Sequence, residues 1–550
     1  MYIIKHIHAG GVLLLSLNNK VLVGLPSKGI VVARTGDYPY VYHVTKTYRN
    51  EKGCPTNSKR SIGKLDKATG KLIPNNTYYE FYGDHHEVAR FVTAGEIHEA
   101  GVMFLTHWMF SRLGIDRMLS CSFDNDKGEA IQLIASYMLR EGNVMNYLDD
   151  FCERSLCGRI ISGKMASRIF AGIDNIGRMD FFRQWVAKIT QEEYIAYDVT
   201  SFSSYAEGIV DTEWGYNRDG ERLPQINMGL YVGRTSRLPV FYVTYPGSIV
   251  DKSHLPSMMA YNADLGIGGV CFVMDKGFVS TANLEYMHNE GHSYIVAIEN
   301  RYRAARRVLD EHKKEVRSSR CRIDKFGIFG MGVKDRFYGV TSTLHIYYDP
   351  EREAAQTSDM YRKIASEGEA LAQMTEATES QLKKYRKHYT IEREQGGGFS
   401  YQLNHEAVDA LAENLGYFCM LTNDSISTEE VISTYRDKDV IEKTFDELKN
   451  HIDMKRLRTH NDNTTEGKLF CAFLALILRK HIENALSDWM RKNKFTFERV
   501  LRELAKIRSV SSAAGRRLAS PLTKKQRDIF SILDIKEQDV ELFVKSFHMA

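Results

Sequence analysis

Five apolar runs follow one another between residues 194 and 299: YIAYDVTSF (Tyr194 to Phe202), QINMGLYV (Gln225 to Val232), LPVFYVTY (Leu238 to Tyr245), GVCFVMD (Gly269 to Asp275) and HSYIVAIE (His292 to Glu299). Each has the length of a strand, is rich in β-branched and aromatic residues, and is bounded by turn residues. The simplest assembly is a mixed sheet with helices between its strands, an α/β fold. Two of these runs place an acid after an apolar strand: Asp198 ends YIAYD and Asp275 ends GVCFVMD. An acid there sits where a sheet opens to solvent, and two such strand ends can converge. Taken singly, each is more readily read as a turn or N-cap aspartate. Asp211, Asp219 and Asp251 lie in turn-like sequence and are weaker candidates.

At 550 residues the chain is several times the usual domain length of roughly 100 to 200 residues, so three or more units are expected. Residues 1–86 alternate apolar and polar positions, as in YPYVYHVTKTYRN, and then carry KRSIGKLDKATGKLIPN, which predicts a small basic β unit. Within it, MYIIKHIHAGGVLLLSL reads as a strand pair, because its apolar stretch is short and lacks the small-residue exit of a secretory signal. Residues 87–190 turn helical, with FLTHWMFSRLGIDRML, EAIQLIASYMLREG and MDFFRQWVAKI all spacing apolar residues by three and four. Residues 191–300 hold the five strands, and 301–420 mix helices with strands such as TSTLHIYYD and read as an insertion. Residues 421–490 follow GYFCMLTND, a strand, with a long helix, and basic helical segments close the chain at 491–550.

The apolar fraction of 43% with 26% charged residues is that of a folded globular chain. LFCAFLALIL (Leu469 to Leu478) is about half the roughly 20 residues needed to cross a bilayer and predicts a core helix. The eight cysteines are scattered, and Cys152 and Cys157 lack the spacing of a zinc site, which suits reduced thiols in a cytoplasm. A net charge of +4 is small, so a nucleic-acid signal must come from local clustering. One cluster is ENRYRAARRVLDEHKKEVRSSRCR, where nine Lys or Arg between Arg301 and Arg322 face three acids. Arg301, Arg303, Arg306 and Arg307 could grip phosphates there; the alternative is a solvated helix.

A third acid comes from the long helix, whose start is marked by Ser427 with Glu430 three residues on. In STYRDKDVIEKTFDELKN, the residues Tyr435, Lys438, Glu442, Phe445 and Lys449 are spaced three, four, three and four apart, so one helix face carries them all. An acid and two lysines make a poor core stripe, although i,i+4 pairs such as Lys438 with Glu442 also suit a solvated helix. Three carboxylates, Asp198, Asp275 and Glu442, are the number that two divalent ions about 4 Å apart require, because each ion completes its shell with water and phosphate.

With these residues the chain resembles the DDE transposases of bacterial insertion sequences, in the group whose third acid lies in a Tyr-x2-Arg-x3-Glu-x6-Lys signature. Here that spacing reads Tyr435, Lys438, Glu442 and Lys449, with Lys438 in place of the arginine and Arg436 close by. The resemblance runs from YDVTSF through GYNRDGERLPQI (Gly215 to Ile226) and VMDKGF to LRTH and the apolar helix beyond. It implies a ribonuclease H-like core in two parts, 191–300 and 421–490, around the insertion domain, with a DNA-end-binding domain in 87–190 and DNA binding or dimerisation in 491–550. It further implies Asp198, Asp275 and Glu442 as the catalytic metal ligands, for two Mg2+ ions that Mn2+ can replace. Tyr435, Arg436, Lys438 and Lys449 are then DNA-binding residues, Lys449 on a backbone phosphate. The implied partners are double-stranded DNA, as terminal inverted repeats and target, and a second copy of the chain in a paired-end complex; no membrane is involved, and the setting is the bacterial cytoplasm and nucleoid. No tryptophan lies in 301–420, where members of this group use one to hold a base extruded at a hairpin, so Phe337, Tyr338 or Tyr348 are the rings that could stack one. The activity implied is metal-dependent cleavage at transposon ends and joining of 3'-hydroxyls to target DNA, cut-and-paste. The alternatives are a nuclease of the same fold without strand transfer, and a domesticated DNA-binding protein.

Overall fold

The computed structural model describes residues 23–33, 39–50, 53–66, 69–82, 94–189, 194–268, 270–374, 377–394, 398–512 and 517–547. The strand pair expected within residues 1–22 lies outside them. The chain divides into two compact units, one of residues 1–108, 147–162 and 485–550, the other of residues 109–146 and 163–484.

The first unit contains a four-stranded antiparallel sheet of β1 (Ile30–Val32), β2 (Tyr40–Arg49), β3 (Pro55–Asp66) and β4 (Lys71–Pro74), in that order. Val41, Ile62 and Leu72 form its small buried core, with Tyr78 and Tyr82 of the helix Asn76–Tyr82 packed against them. A second sheet joins β5 (Ala94–Glu99) to segments from the other end of the chain. The C-terminal region is mostly helical, as its periodicity suggests, but it also supplies these two strands next to β5. Phe104 packs edge-on against Phe530 and Phe543, at 5.6 and 5.4 Å.

The second unit is built on a nine-stranded mixed sheet. Its first strands are β6 (Tyr194–Ser203), β7 (Gln225–Gly233), β8 (Pro239–Pro246), β9 (Cys271–Met274) and β10 (Ser293–Ile298), the five apolar runs read above. Residues 301–420 add β11 (Arg322–Ile323), β12 (Ile328–Phe337) and β13 (Val340–Tyr348), and a separate hairpin of β14 (Tyr389–Arg393) and β15 (Phe399–Leu403). β16 (Tyr417–Thr422) lies between β13 and β10, giving the order β11-β12-β13-β16-β10-β9-β6-β7-β8. The C-terminal strands noted above are β17 (Arg508–Ser512) and β18 (Arg517–Ala519).

Within the nine-stranded sheet β6, β9 and β10 run parallel, while β7 and β8 continue antiparallel on one side and β16, β13, β12 and β11 on the other. Every residue of β7 and β9 is buried, which is why those runs read as continuously apolar rather than alternating. Leu469–Leu478 is buried throughout within the helix Asp462–Asn493, and Phe470 and Phe473 meet Phe182 edge-on. Among the described residues no helix is long and apolar enough to cross a membrane.

The helix Thr428–Arg436, capped by Ser427 Oγ on the Glu430 N–H at 3.1 Å, lays Val431 and Ile432 on the sheet against Cys271, Ile295, Tyr347 and Met420. Each of those two side chains contributes about 2 kcal/mol by burial, an upper estimate. The single helix expected here is interrupted. At Asp437 and Lys438 the bonds tighten to three-residue turns, Lys438 N–H to Tyr435 C=O and Ile441 N–H to Lys438 C=O, before Asp439–Asp446 resumes. The following turn, Glu447–His451, then widens to a π-helix.

Candidate active site

Asp198 is the fifth residue of β6, flanked by β7 and β9. β6 and β9 pair in parallel with Ala196 opposite Val273. Two residues further along the same register, Asp198 comes level with Asp275, the first residue after β9. Neighbouring strands lie about 4.8 Å apart, so the two carboxylates are brought side by side. Asp275 leaves the sheet in a turn, and its carboxylate accepts from the Lys276 N–H at 2.9 Å.

The interrupted helix completes the site. Tyr435 donates its hydroxyl to Asp275 Oδ1 at 3.1 Å. The tight joint turns Lys438 inward, and its ammonium lies 3.9 Å from Asp198 Oδ2 and 3.9 Å from Asp275 Oδ2. Burial pushes the Asp198 carboxyl above the usual carboxylate range; Lys438 is the largest influence opposing this, aided by a 2.9 Å bond from the Val199 N–H. Tyr435 is likewise raised, first by burial, then by the charges of Asp275, Asp198 and Glu442. Glu442 is exposed, yet its charge is felt at the same hydroxyl as those of both aspartates.

Hard carboxylate oxygens converging on one cation, here an ammonium, are what a divalent ion of the magnesium type needs, so Asp198 and Asp275 fit that role. Among the described residues no three His, Cys, Asp or Glu are grouped closely enough to hold an ion, and Glu442 stands apart from the pair.

The family model of the transposase DDE domain matches residues 190–478, more than half of the chain. The chain belongs to the DDE transposase family. As a member it is a DNA transposase, and the activity of the family depends on divalent metal ions. No curated protein matches it. Among solved structures, the cryo-EM structure of the piggyBac transposase synaptic complex with hairpin DNA is similar at 11% identity and a TM-score of 0.35, over 70% of each chain.

The remaining charged residues of the transposase divide into two groups. Lys449, in the π-turn, is buried and its ammonium bonds Asp219 Oδ2 at 2.7 Å. Burial lowers its pKa and Asp219 opposes the shift. Asp219 belongs to the GYNRDGERLPQI segment, in which Arg218 also pairs with Asp251, and Glu221 with Arg456 and Lys455. A Cβ at Gly215, at the head of that segment, would fall 1.8 Å from the Gly247 carbonyl oxygen, so only glycine fits. These partners escaped the sequence reading, which set Asp219 and Asp251 aside; the alternating charges of RDGER were the available signal.

The second group lies on or near the surface. Arg436 stacks on Phe326 at 4.6 Å. Arg303 is exposed at the start of the helix Arg303–Val316, while Arg301 pairs with Glu299, Arg306 with Asp310 at 2.7 Å and Arg307 with Asp335 at 2.6 Å. Of the aromatic residues considered for base stacking, Phe337 and Tyr348 are buried and Tyr338 is half-buried.

Proposed function

We propose that this transposase excises a bacterial insertion sequence by cut-and-paste, with Asp198, Asp275 and Glu442 holding two Mg2+ ions, replaceable by Mn2+, on a ribonuclease H-like core. The observation that carries the reading is the level placement of Asp198 and Asp275 on adjacent parallel strands around one cation. The core assignment is supported by the order of the acids: the first on the first strand of the sheet, the second after a later parallel strand, the glutamate on a helix that comes after β16.

When bound, paired divalent ions neutralise phosphate charge, activate a water or 3'-hydroxyl and stabilise the leaving oxygen. The chain's own residues prepare for this. Lys438 opposes the upward shift that burial imposes on Asp198, Tyr435 orients Asp275, and the Lys449–Asp219 pair ties the end of the catalytic helix to the Gly215–Ile226 segment. The spacing of Tyr435, Lys438, Glu442 and Lys449 supports placing the protein in the insertion-sequence group. Residues 87–190 bind the transposon ends, 491–550 bind DNA or dimerise, and two copies pair two ends before cleavage. Arg301, Arg306 and Arg307 reach phosphates by exchanging their acidic partners, and the exposed Arg303 reaches them directly.

The test uses the gene's flanking inverted repeats, cloned around a marker in a plasmid and incubated with purified protein and Mg2+. The marker should be released and rejoined to target DNA, whereas Asp198→Asn and Asp275→Asn should bind the ends without cutting. Release without rejoining would indicate a nuclease. Cutting at near-normal rate by either variant would overturn the assignment.

A further inference from the structure

The first unit carries a feature that the catalytic site does not use. β1 pairs with β2 only at Val41, Tyr42 and His43, and β4 pairs with β3 only from Gly63 to Asp66. Among the described residues no strand flanks Thr45–Arg49 of β2 or Pro55–Arg60 of β3, so the far half of this hairpin is a bare two-stranded ribbon. Its side chains are almost all exposed and none belongs to the buried core of the sheet. The charge is of one sign: Lys46, Arg49, Lys59 and Arg60 on the ribbon and Lys64 at its base, with no acid in residues 40–49 or 53–65. Among the described residues no carboxylate pairs with Lys46, Lys59 or Lys64.

Two of these ammonium groups are held in place. Lys59 lies over the Tyr42 ring at 4.7 Å and Lys64 over the Tyr40 ring at 5.1 Å, and the two rings are 6.3 Å apart. One face of the hairpin thus presents a short row of pre-ordered cations, which lose less side-chain freedom on meeting an anion. Lysines on exposed strand edges also serve to block edge-to-edge pairing. That role needs scattered charge, not lysines that are stacked on tyrosines and lack a carboxylate partner among the described residues.

We propose that the ribbon formed by Thr45–Arg49 and Pro55–Arg60 docks into a groove of duplex DNA and grips its phosphates through Lys46, Lys59 and Lys64. This rests on the reading that the chain acts on DNA. The free parts of the two strands span about 17 and about 20 Å at about 3.4 Å per residue. A two-stranded ribbon fits the major groove, which is about 12 Å wide. The docking is charge-led and sequence-independent, since phosphate contacts position a protein without reading bases.

The experiment measures fluorescence anisotropy of a 40-base-pair duplex of arbitrary sequence, and of one of its strands alone, with the full-length chain over a series of KCl concentrations. Changing Lys46, Lys59 and Lys64 together to alanine should weaken duplex binding and flatten the slope of log affinity against log salt by about 0.9 per lost contact. The matching lysine-to-arginine variant should restore both, and circular dichroism melting should be the same for all three proteins. An unchanged salt slope in the alanine variant would overturn the proposal and leave the lysines as guards of the strand edges. Tighter binding to the single strand, lost in the alanine variant, would overturn it in favour of base stacking on Tyr40 and Tyr42. Failure of the unaltered protein to bind either probe would instead overturn the reading of the chain as DNA-acting.

Discussion

Replacing Lys438 by methionine keeps most of the side-chain stem and removes the ammonium lying 3.9 Å from Asp198 and 3.9 Å from Asp275. At that distance each attraction is about 4 kcal/mol for an effective dielectric constant of about 20. Much of this is offset. The ammonium, only 8% exposed, has given up its hydration, and Asp275, 49% exposed, is screened by water. A net loss of about 2 kcal/mol is left for the metal-free protein, most of it through Asp198. The same substitution favours a divalent cation, which no longer competes with the ammonium for those oxygens. About 2 kcal/mol corresponds to an affinity rise of about 30-fold. The two effects have opposite signs, so one variant separates them. Denaturant unfolding without metal should show the loss, and a Mn2+ titration of the same proteins should show the midpoint moving to lower concentration. A variant that binds Mn2+ with the original midpoint would refute the competition and, with it, the placement of the ion between the two aspartates.

Two further predictions concern the framework of the site. Lys449→Met should destabilise the protein by about 1.5 kcal/mol, with little change between low and high KCl, because it leaves Asp219, whose side chain is 21% exposed, without the ammonium that covers it; adding Asp219→Asn should recover most of the loss. A stable Lys449→Met protein whose defect is salt-dependent DNA binding would favour a direct phosphate contact. Glu483 is pushed up to about 8, first by burial and further by Glu447, against the pull of Arg479. Its folded value lies above its unfolded one, so its contribution to stability is present below about pH 4.3 and is lost as pH rises through 8. Glu483→Gln should therefore gain about 2 kcal/mol at about pH 9 relative to about pH 5, measured by denaturant unfolding, and equal effects at the two pH values would contradict this.

The strands that carry Asp198 and Asp275 were legible because buried strands read as unbroken apolar runs and an acid after one is conspicuous. Their being level was not legible, since parallel register depends on contacts between residues 194–196 and 271–273, far apart in sequence. The third acid was legible from helical spacing, but that spacing assumes a uniform helix. The tight joint at Lys438 and the π-turn at Lys449 shift both lysines inward, where they meet Asp198, Asp275 and Asp219. β11, β12 and β13 were legible as strand-forming sequence within an insertion; their pairing to the main sheet through β16 is a long-range contact that no local pattern encodes. The strand β17 pairs with β5, some four hundred residues away, and with β18 on its other side, and both were hidden within a helical pattern for the same reason.

In the proposed site Asp198, Asp275 and Glu442 together hold the catalytic metal. Loading the protein with Fe2+, which takes the same oxygen donors, and adding ascorbate and peroxide breaks the backbone beside the bound ion. Mass spectrometry of the fragments should find breaks next to Asp198, Asp275 and Glu442, all three lost in Asp198→Asn and restored to none by excess iron. Breaks elsewhere in the chain, or the same three in Asp198→Asn, would contradict the account.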